Sequence, residues 1–171
     1  MRIDVVPVGD LDSDVLDTSS EVLEEKYDAD VVVRSSTPVP KDAYDDRTQQ
    51  YNAERFIEMA TTIGRGDKNM AVTPVDIFYR QRNYVFGLAY LDGKGCVVST
   101  HRLRMSSDGG SIENEKETVL DRVRKEVVHE IGHTLGLQHC DNDMCVMSFS
   151  PTVSEVDTKF ERTCPRCNPE Y

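Results

Sequence analysis

The 171-residue sequence lacks an apolar run long enough to cross a membrane, and its first residues, MRIDVVPVGD, lack the apolar core of a signal peptide. It is also short of positive charge: 31 acidic residues outnumber 20 basic ones, for a net charge of −11. This balance disfavours nucleic acid and anionic membranes as partners. We therefore expect a cytoplasmic protein that binds neither of them.

The length predicts a single domain over residues 1–171, large enough to bury its own core. No surplus amphipathic helix suggests assembly, so we expect a monomer. Acidic clusters at residues 10–14 and 42–46 fit a strongly hydrated surface suited to a high-salt cytoplasm. They fit an ordinary acidic surface equally well, and both interpretations stay open.

Histidine is scarce, yet three of the four histidines fall within eleven residues, in the stretch HEIGHTLGLQH. The pattern H-E-x-x-H-x-x-G-x-x-H places His129, Glu130, His133, Gly136 and His139 in register. Histidines at i and i+4 lie on the same face of a helix and can bind one ion, with the intervening glutamate beside it. The pattern predicts a metal site on a helix.

Gly136 explains how a third histidine reaches the same ion. A straight helix would rotate His139 away from His133, whereas glycine accepts a positive φ and permits a sharp helix exit. Three neutral imidazoles and one open position are typical of a catalytic zinc site, where bound water ionises near neutral pH. Glu130 is then the expected general base. A histidine pair alone is more often surface decoration, but the glycine at the required offset argues against coincidence.

Four of the five cysteines form two close pairs, Cys140-x4-Cys145 and Cys164-x2-Cys167. In an intracellular chain such pairs indicate metal ligands before disulfides. Four thiolates bind zinc tetrahedrally and leave no position for substrate, so this second zinc is structural. The prediction is therefore two Zn²⁺ per chain, with the fifth cysteine, at position 96, a small core residue in a strand.

Residues 129–167 resemble the metzincin zinc peptidases, and more specifically the archaemetzincins. In that branch a cysteine directly follows the third histidine, and Cys-x-Met and then Cys-x-x-Cys come after it. Here these are Cys140, Cys145-Val146-Met147 and Cys164-Pro165-Arg166-Cys167. Sixteen residues separate Met147 from Cys164, one fewer than the family pattern, as in a shorter loop.

The resemblance implies an α+β fold with an α/β-like N-terminal half. A mixed twisted sheet packs on helices, one of them a long active-site helix, and a small zinc-pinned subdomain ends the chain. The expected parts are residues 1–137 and residues 138–171. The resemblance also implies that Met147 forms a hydrophobic floor beneath the catalytic zinc without binding it, although a methionine here is usually a core filler.

The expected function is hydrolysis of a peptide or protein substrate by a zinc metallopeptidase, a hydrolase and protease. A catalytically silent, zinc-stabilised peptide-binding protein is the alternative, but such a protein is expected to lose the base or a ligand, and this chain has kept both. Hydrolysis of another amide or an ester is not separated from peptide hydrolysis by the residues alone.

Two features of the substrate cleft are left with several candidates. The candidates for the hydrogen-bond donor to the developing oxyanion are Tyr79, Tyr84, Tyr90 and His101. By resemblance, an extended peptide binds by β-addition to an edge strand, with Phe86–Tyr90 and Val97–His101 as candidates.

Periodicity predicts strands at residues 2–9, 30–34, 70–77, 84–90 and 96–103, the last two paired through the turn LDGKG. It predicts helices at residues 11–27, 52–63 and 115–137. Residues 41–50 are expected to form an exposed loop and residues 106–110 a flexible one. The mixed charges of residues 121–126 are interpreted as a solvated helix face.

Overall fold

The computed structural model describes residues 1–108, 112 and 114–168. Part of the loop predicted at residues 106–110, and the last three residues of the 138–171 segment, lie outside the described residues. The main sheet has five strands: β1 (Arg2–Pro7), β2 (Asp30–Val33), β5 (Lys68–Thr73), β7 (Gly87–Ala89) and β8 (Gly95–Ser99). The α-helices are α1 (Ser13–Tyr27), α2 (Ala53–Ile63), α3 (Glu115–Thr134) and α4 (Val153–Thr158).

The order of strands in the main sheet is β2-β1-β5-β8-β7. Neighbouring strands run parallel except for β7, which pairs antiparallel with β8 as the turn chemistry predicted. The edge-strand prediction for Val97–His101 was wrong, because β8 lies between β5 and β7 and has both edges paired. The edge belongs to β7, which is shorter than predicted.

Both faces of the main sheet are buried, and alternate residues of each strand serve different cores. In β5, Met70 and Val72 pack towards α1 and α3, whereas Ala71 packs towards α2. This accounts for the continuous apolar character of β5 and β8, in which Cys96 is fully buried as predicted. Within the described ranges, no helix is long and apolar enough to cross a membrane.

A second, three-stranded sheet shares a hydrophobic core with α2. It consists of β3 (Tyr44–Asp45), β4 (Gln50–Asn52) and β6 (Ile77–Phe78), and a 3₁₀ turn, Lys41–Ala43, precedes it. Residues 41–50 are mostly exposed, as predicted, but they are not simply a loop, because they contain the 3₁₀ turn, β3 and the first residue of β4. Strands of two or three residues carry no readable alternation, and the polar Gln50 is buried because its amide donates to Asp76 Oδ2 at 3.2 Å.

The mixed-charge segment of α3 is not a solvated face, contrary to the prediction. Arg122, Lys125 and Glu126 are each less than a tenth exposed. The Arg122 guanidinium donates to Asp157 at 2.8 Å and, through Nη1, to two backbone carbonyls, Leu103 O at 2.9 Å and Met105 O at 2.8 Å. These charges are tolerated inside because α4 and the chain after β8 supply acceptors.

This network predicts that substitutions of Arg122 and of Asp157 lower the free energy of unfolding by different amounts. Arg122→Ala leaves two carbonyls without a donor, and we expect a loss of about 3 kcal/mol in the free energy of unfolding. Asp157→Asn removes only a partner whose side chain is 44% exposed, and we expect a loss below about 1 kcal/mol. Urea denaturation of both variants measures the difference, and equal losses would show that the ion pair carries the stability.

Candidate active site

Three imidazoles converge where α3 ends and the chain reverses. The Nε2 atoms of His129 and His133, one turn apart on α3, are separated by 3.0 Å. The ring of His139 has its centroid 4.7 Å from that of His133 and 5.4 Å from that of His129. The three residues offer ligand nitrogens within 4.8 Å of one another. Zinc binds such nitrogens at about 2.0–2.1 Å, so only a small approach is needed for all three to share one ion.

The helix exit that brings His139 back depends on Gly136, whose φ is +93°. The Gly136 amide donates to His133 O at 3.0 Å, and the Leu137 amide donates to Gly132 O at 3.0 Å. This pair of bonds is the Schellman motif, which requires a left-handed residue and so favours glycine. The positive φ is as predicted, although α3 ends at Thr134, earlier than expected.

Backbone carbonyls fix the orientation of the two helical imidazoles. Nδ1 of His129 donates to Val146 O at 2.7 Å, and Nδ1 of His133 donates to Leu137 O at 2.7 Å. A nitrogen bonded to a carbonyl must carry the proton, which leaves the Nε2 lone pair free for a metal ion. The fold therefore selects the tautomer suited to binding.

The electrostatic environment keeps these imidazoles neutral. Burial lowers the pKa of His129 well below its ordinary value and also lowers that of His133. Burial, together with the neighbouring His133, lowers the pKa of His139 to about 4. Neutral imidazole is the ligand form, so the site requires no deprotonation at physiological pH before metal binds.

Glu130 is buried beside this group and faces the edge strand. Burial, and secondarily the nearby Glu126, raises the pKa of Glu130 well above its usual range. A Cβ built on Gly87 in β7 would lie 2.6 Å from Glu130 Oε1, so the missing side chain provides room for this carboxylate. Sequence reasoning missed Gly87, and the one available signal was a glycine inside a strand pattern, which can mark a close approach.

The imidazoles and Glu130 lie in the wall of a cleft of about 720 Å³, bounded by β7, α3 and residues 149–151. Of the four candidate oxyanion donors, Tyr79 and Tyr84 line the cleft, and the Tyr84 hydroxyl donates to Pro151 O at 3.0 Å. Tyr90 and His101 are not among the described residues that line it, and the Tyr90 hydroxyl donates instead to a carboxylate of α2 at 2.9 Å.

Met147 is fully buried against α3. A Cβ built on Gly132 would lie 2.5 Å from Met147 Sδ, so this glycine allows the thioether to approach the helix one turn from His129. The Met147 carbonyl accepts a hydrogen bond from the Cys140 amide at 3.0 Å. The position fits the expected hydrophobic floor, a role that stays a prediction.

The four C-terminal cysteines form a second group, and their ligand sulfurs also lie within 4.8 Å of one another. All four are free thiols, and Sγ of Cys140 lies 3.8 Å from Sγ of Cys164. Tetrahedral zinc with Zn–S bonds of about 2.3 Å places sulfurs roughly 3.8 Å apart. The backbone amides of Met147 and Cys164 donate to Cys145 Sγ at 3.4 and 3.3 Å, a pattern that stabilises a thiolate.

The protein environment acts differently on the thiols of this group. Burial opposes ionisation of Cys164, but backbone amides of Cys167 and Arg166 outweigh it and lower the Cys164 pKa to about 6. The pKa values of Cys145 and Cys167 are raised, first by burial and then by their sulfur neighbours. A divalent cation supplies the charge that lets such thiols deprotonate together.

Two further charged residues near the cleft were not anticipated from the sequence. Glu126 lies one turn before Glu130 on α3, is 3% exposed and lines the cleft. Lys159, just after α4, is 1% exposed and places its Nζ 2.9 Å from Glu126 Oε1. The spacing of Glu126 and Glu130 placed them on one face, but no sequence signal linked Lys159 to either.

Comparison with known proteins adds an independent line of evidence. The family model described as peptidase family M54 matches residues 21–171. Archaemetzincins of Natronomonas pharaonis and Halobacterium salinarum are 58% and 59% identical to this chain over 168 residues, which cover 98% of it and 97% of each relative. The crystal structure of the Archaeoglobus fulgidus archaemetzincin, complexed with malonate, superposes with a TM-score of 0.85 at 35% identity and covers 98% of both chains.

The archaemetzincin of Methanopyrus kandleri gives the same TM-score at 33% identity, with 98% of this chain and 91% of that one covered. These matches confirm the mixed-sheet, metzincin-like fold expected from the zinc-binding motif. They also extend well beyond the motif, because they cover nearly the whole sequence. The chain therefore belongs to the archaemetzincins, peptidase family M54, and is a zinc metallopeptidase.

Proposed function

We propose that His129, His133 and His139 hold the zinc ion and that Glu130 is the general base for peptide-bond hydrolysis. The observation that carries the proposal is the convergence of three neutral imidazoles, two of them oriented by backbone carbonyls, at a cleft wall that also contains Glu130. Zinc, when bound, lowers the pKa of water and polarises a carbonyl. The arrangement leaves one side of the histidine group open to the cleft.

Glu130 supplies the proton chemistry in this proposal. Its carboxylate takes a proton at an Oε atom from the attacking water and delivers it to the leaving amine. The raised pKa suits this role, because a carboxyl that holds a proton more tightly than usual serves as both base and acid. Because Gly87 has no side chain, the Glu130 carboxylate can lie directly against β7.

The substrate is proposed to be an extended peptide that adds to the free edge of β7. This strand pairs only with β8 among the described strands, and all three of its residues line the cleft. Tyr79 is the proposed donor to the developing oxyanion, since it reaches the cleft. Tyr84 also lines the cleft and is the second candidate, but its one hydroxyl hydrogen would first have to leave Pro151 O. The monomeric state, the cytoplasmic location and the absence of nucleic-acid and membrane partners stay proposals that rest on composition.

A second, structural zinc is proposed at Cys140, Cys145, Cys164 and Cys167. The sulfur spacing and the amide donors support it. Because an unfolded chain has no preformed site, binding there adds to the folding free energy of residues 138–171.

Replacing Glu130 tests the catalytic assignment. Glu130→Gln keeps the size of the side chain but removes the base, so kcat/KM for peptide hydrolysis should fall by about 10²–10⁴. Zinc content should stay the same, because Glu130 is not a proposed ligand. Metal analysis and cleavage of a mixed peptide library measure both quantities.

The matched control is Glu117→Gln, an exposed carboxylate on the same helix, which should leave cleavage unchanged. Cleavage retained by Glu130→Gln would remove Glu130 from the role of base. If the zinc-loaded wild type binds peptides but cleaves none, the alternative of a silent peptide-binding protein replaces the peptidase proposal.

Replacing Cys164 tests the structural zinc. Cys164→Ser removes one thiolate, and we expect one zinc ion fewer per chain and a melting temperature lower by at least about 10 °C. Cys96→Ala is the matched control, because it removes a buried core thiol outside the four-cysteine group. It should lower stability without loss of zinc. Full zinc content and unchanged melting in Cys164→Ser would contradict the site.

A further inference from the structure

Glu126 is a buried carboxylate in the wall of the substrate cleft that the proposed chemistry does not use. It lies four residues before Glu130 on α3, so the two carboxylates share a helix face about 6 Å apart along the axis. Its exposed fraction is 3%, and it lines the same cleft as His129 and Glu130. A side chain next to the scissile bond is therefore within reach of it.

The hydrogen-bonding capacity of Glu126 is only partly used. Its Oε1 lies 2.9 Å from Lys159 Nζ, but the contact lacks hydrogen-bond alignment, and Oε1 has no other donor in the part of the chain that the structure describes. Lys159 Nζ also approaches Ser148 O at 3.4 Å. Oε1 is itself buried from solvent, so the acceptor positions left for a ligand are those of Oε2, to which no described residue donates. A carboxylate offers about four acceptor positions in all, and Glu126 is part of the cleft lining.

Stability alone gives little reason to keep this pair. Both partners are almost completely buried, and a buried ion pair is often no more stabilising than well-packed apolar residues. Lys159 is not among the residues that line the cleft, so it stands behind Glu126 and compensates its charge from the protein side. What the cleft presents to a ligand is therefore an acceptor.

We propose that Glu126 is a specificity-determining residue that accepts hydrogen bonds from a basic side chain, lysine or arginine, next to the scissile bond. This rests on the proposed function, because it requires a peptide in the cleft. Tyr84, Phe86 and Pro151 line the same cleft and give it apolar walls against which a long aliphatic stem can lie. The cationic tip then reaches Glu126.

The charges around the cleft favour the same class of substrate. Its acidic lining residues are Glu126 and Glu130, and its one basic lining residue, Arg82, has its guanidinium over the ring of Phe149 at 4.9 Å. The whole chain carries a net charge of −11, which attracts cationic peptides. An acidic side chain at this position meets two carboxylates and is disfavoured.

Binding to the zinc-loaded Glu130→Ala protein tests the preference without cleavage. The probes are capped alanine pentapeptides with lysine, methionine or glutamate at the centre. Methionine serves as the control for lysine, because its side chain is of similar length but has no hydrogen-bond donor. We expect the lysine peptide to bind about tenfold more tightly than the methionine peptide, and the glutamate peptide to bind most weakly. Equal affinities would overturn the proposal.

Adding Glu126→Gln together with Lys159→Met removes both buried charges at once and avoids an unpaired ion. The lysine-to-methionine ratio of affinities should then fall to below about threefold, whereas the exposed Glu117→Gln should leave it unchanged. If the double substitution unfolds the protein, the variant to use is Glu126→Asp, which keeps the charge but has a shorter side chain and so withdraws the carboxylate from the cleft. The lysine-to-methionine ratio of affinities should again fall. A ratio that survives either change would overturn the role of Glu126.

Cleavage of the same peptides by protein with Glu130 intact separates the two proposals. Preferential binding of the lysine peptide without cleavage would leave the specificity proposal standing and reject peptide hydrolysis. Cleavage of all three peptides at equal kcat/KM, with equal affinities, would support peptide hydrolysis and reject the specificity proposal.

Discussion

The left-handed conformation of Gly136 is the backbone feature on which the positions of both the three-histidine group and the four-cysteine group depend. It closes α3 with two hydrogen bonds and turns the chain back over the last helical turn. His139 thereby joins the histidine pair, and Cys140, the next residue, begins the four-cysteine group. Any side chain larger than hydrogen would strain this conformation, so one residue couples the positions of two sites.

The burial of α3 gives the site its electrostatic character. The helix packs against both the main sheet and α1, so His129 and Glu130 are removed from water on a rigid element. The same desolvation acts in opposite directions on the two residues: it lowers the pKa of the imidazole and raises that of the carboxyl. In both cases burial favours the neutral form. The neutral form suits the proposed role of His129 as a ligand, and a higher proton affinity suits the proposed role of Glu130 in proton transfer.

The sequence predicted the convergence of the three histidines because their spacing is local. His129, His133 and His139 act within one helix and its exit, where geometry follows directly from the number of intervening residues. Gly87 and Lys159 escaped prediction because their contacts with α3 join distant parts of the chain. A glycine inside a strand pattern can mark a close approach but does not identify its partner, and a lysine gives no such signal. The prediction of a solvated face at residues 121–126 failed for a related reason. Its charged residues were taken to be exposed, whereas distant backbone acceptors satisfy Arg122 inside the fold.

The C-terminal segment is more than a cover for the end of the chain, because it supplies parts of the cleft. The Val146 carbonyl orients His129, and Pro151 accepts the Tyr84 hydroxyl. Lys159, between Met147 and Cys164, reaches back to Glu126 on α3. Two of the four cysteines precede this segment and two follow it. Contacts among the four sulfurs therefore also constrain the Val146 carbonyl that orients His129, the position of Pro151 in the cleft wall, and Lys159 beside Glu126. The cleft wall and the four-cysteine group therefore share one stretch of chain.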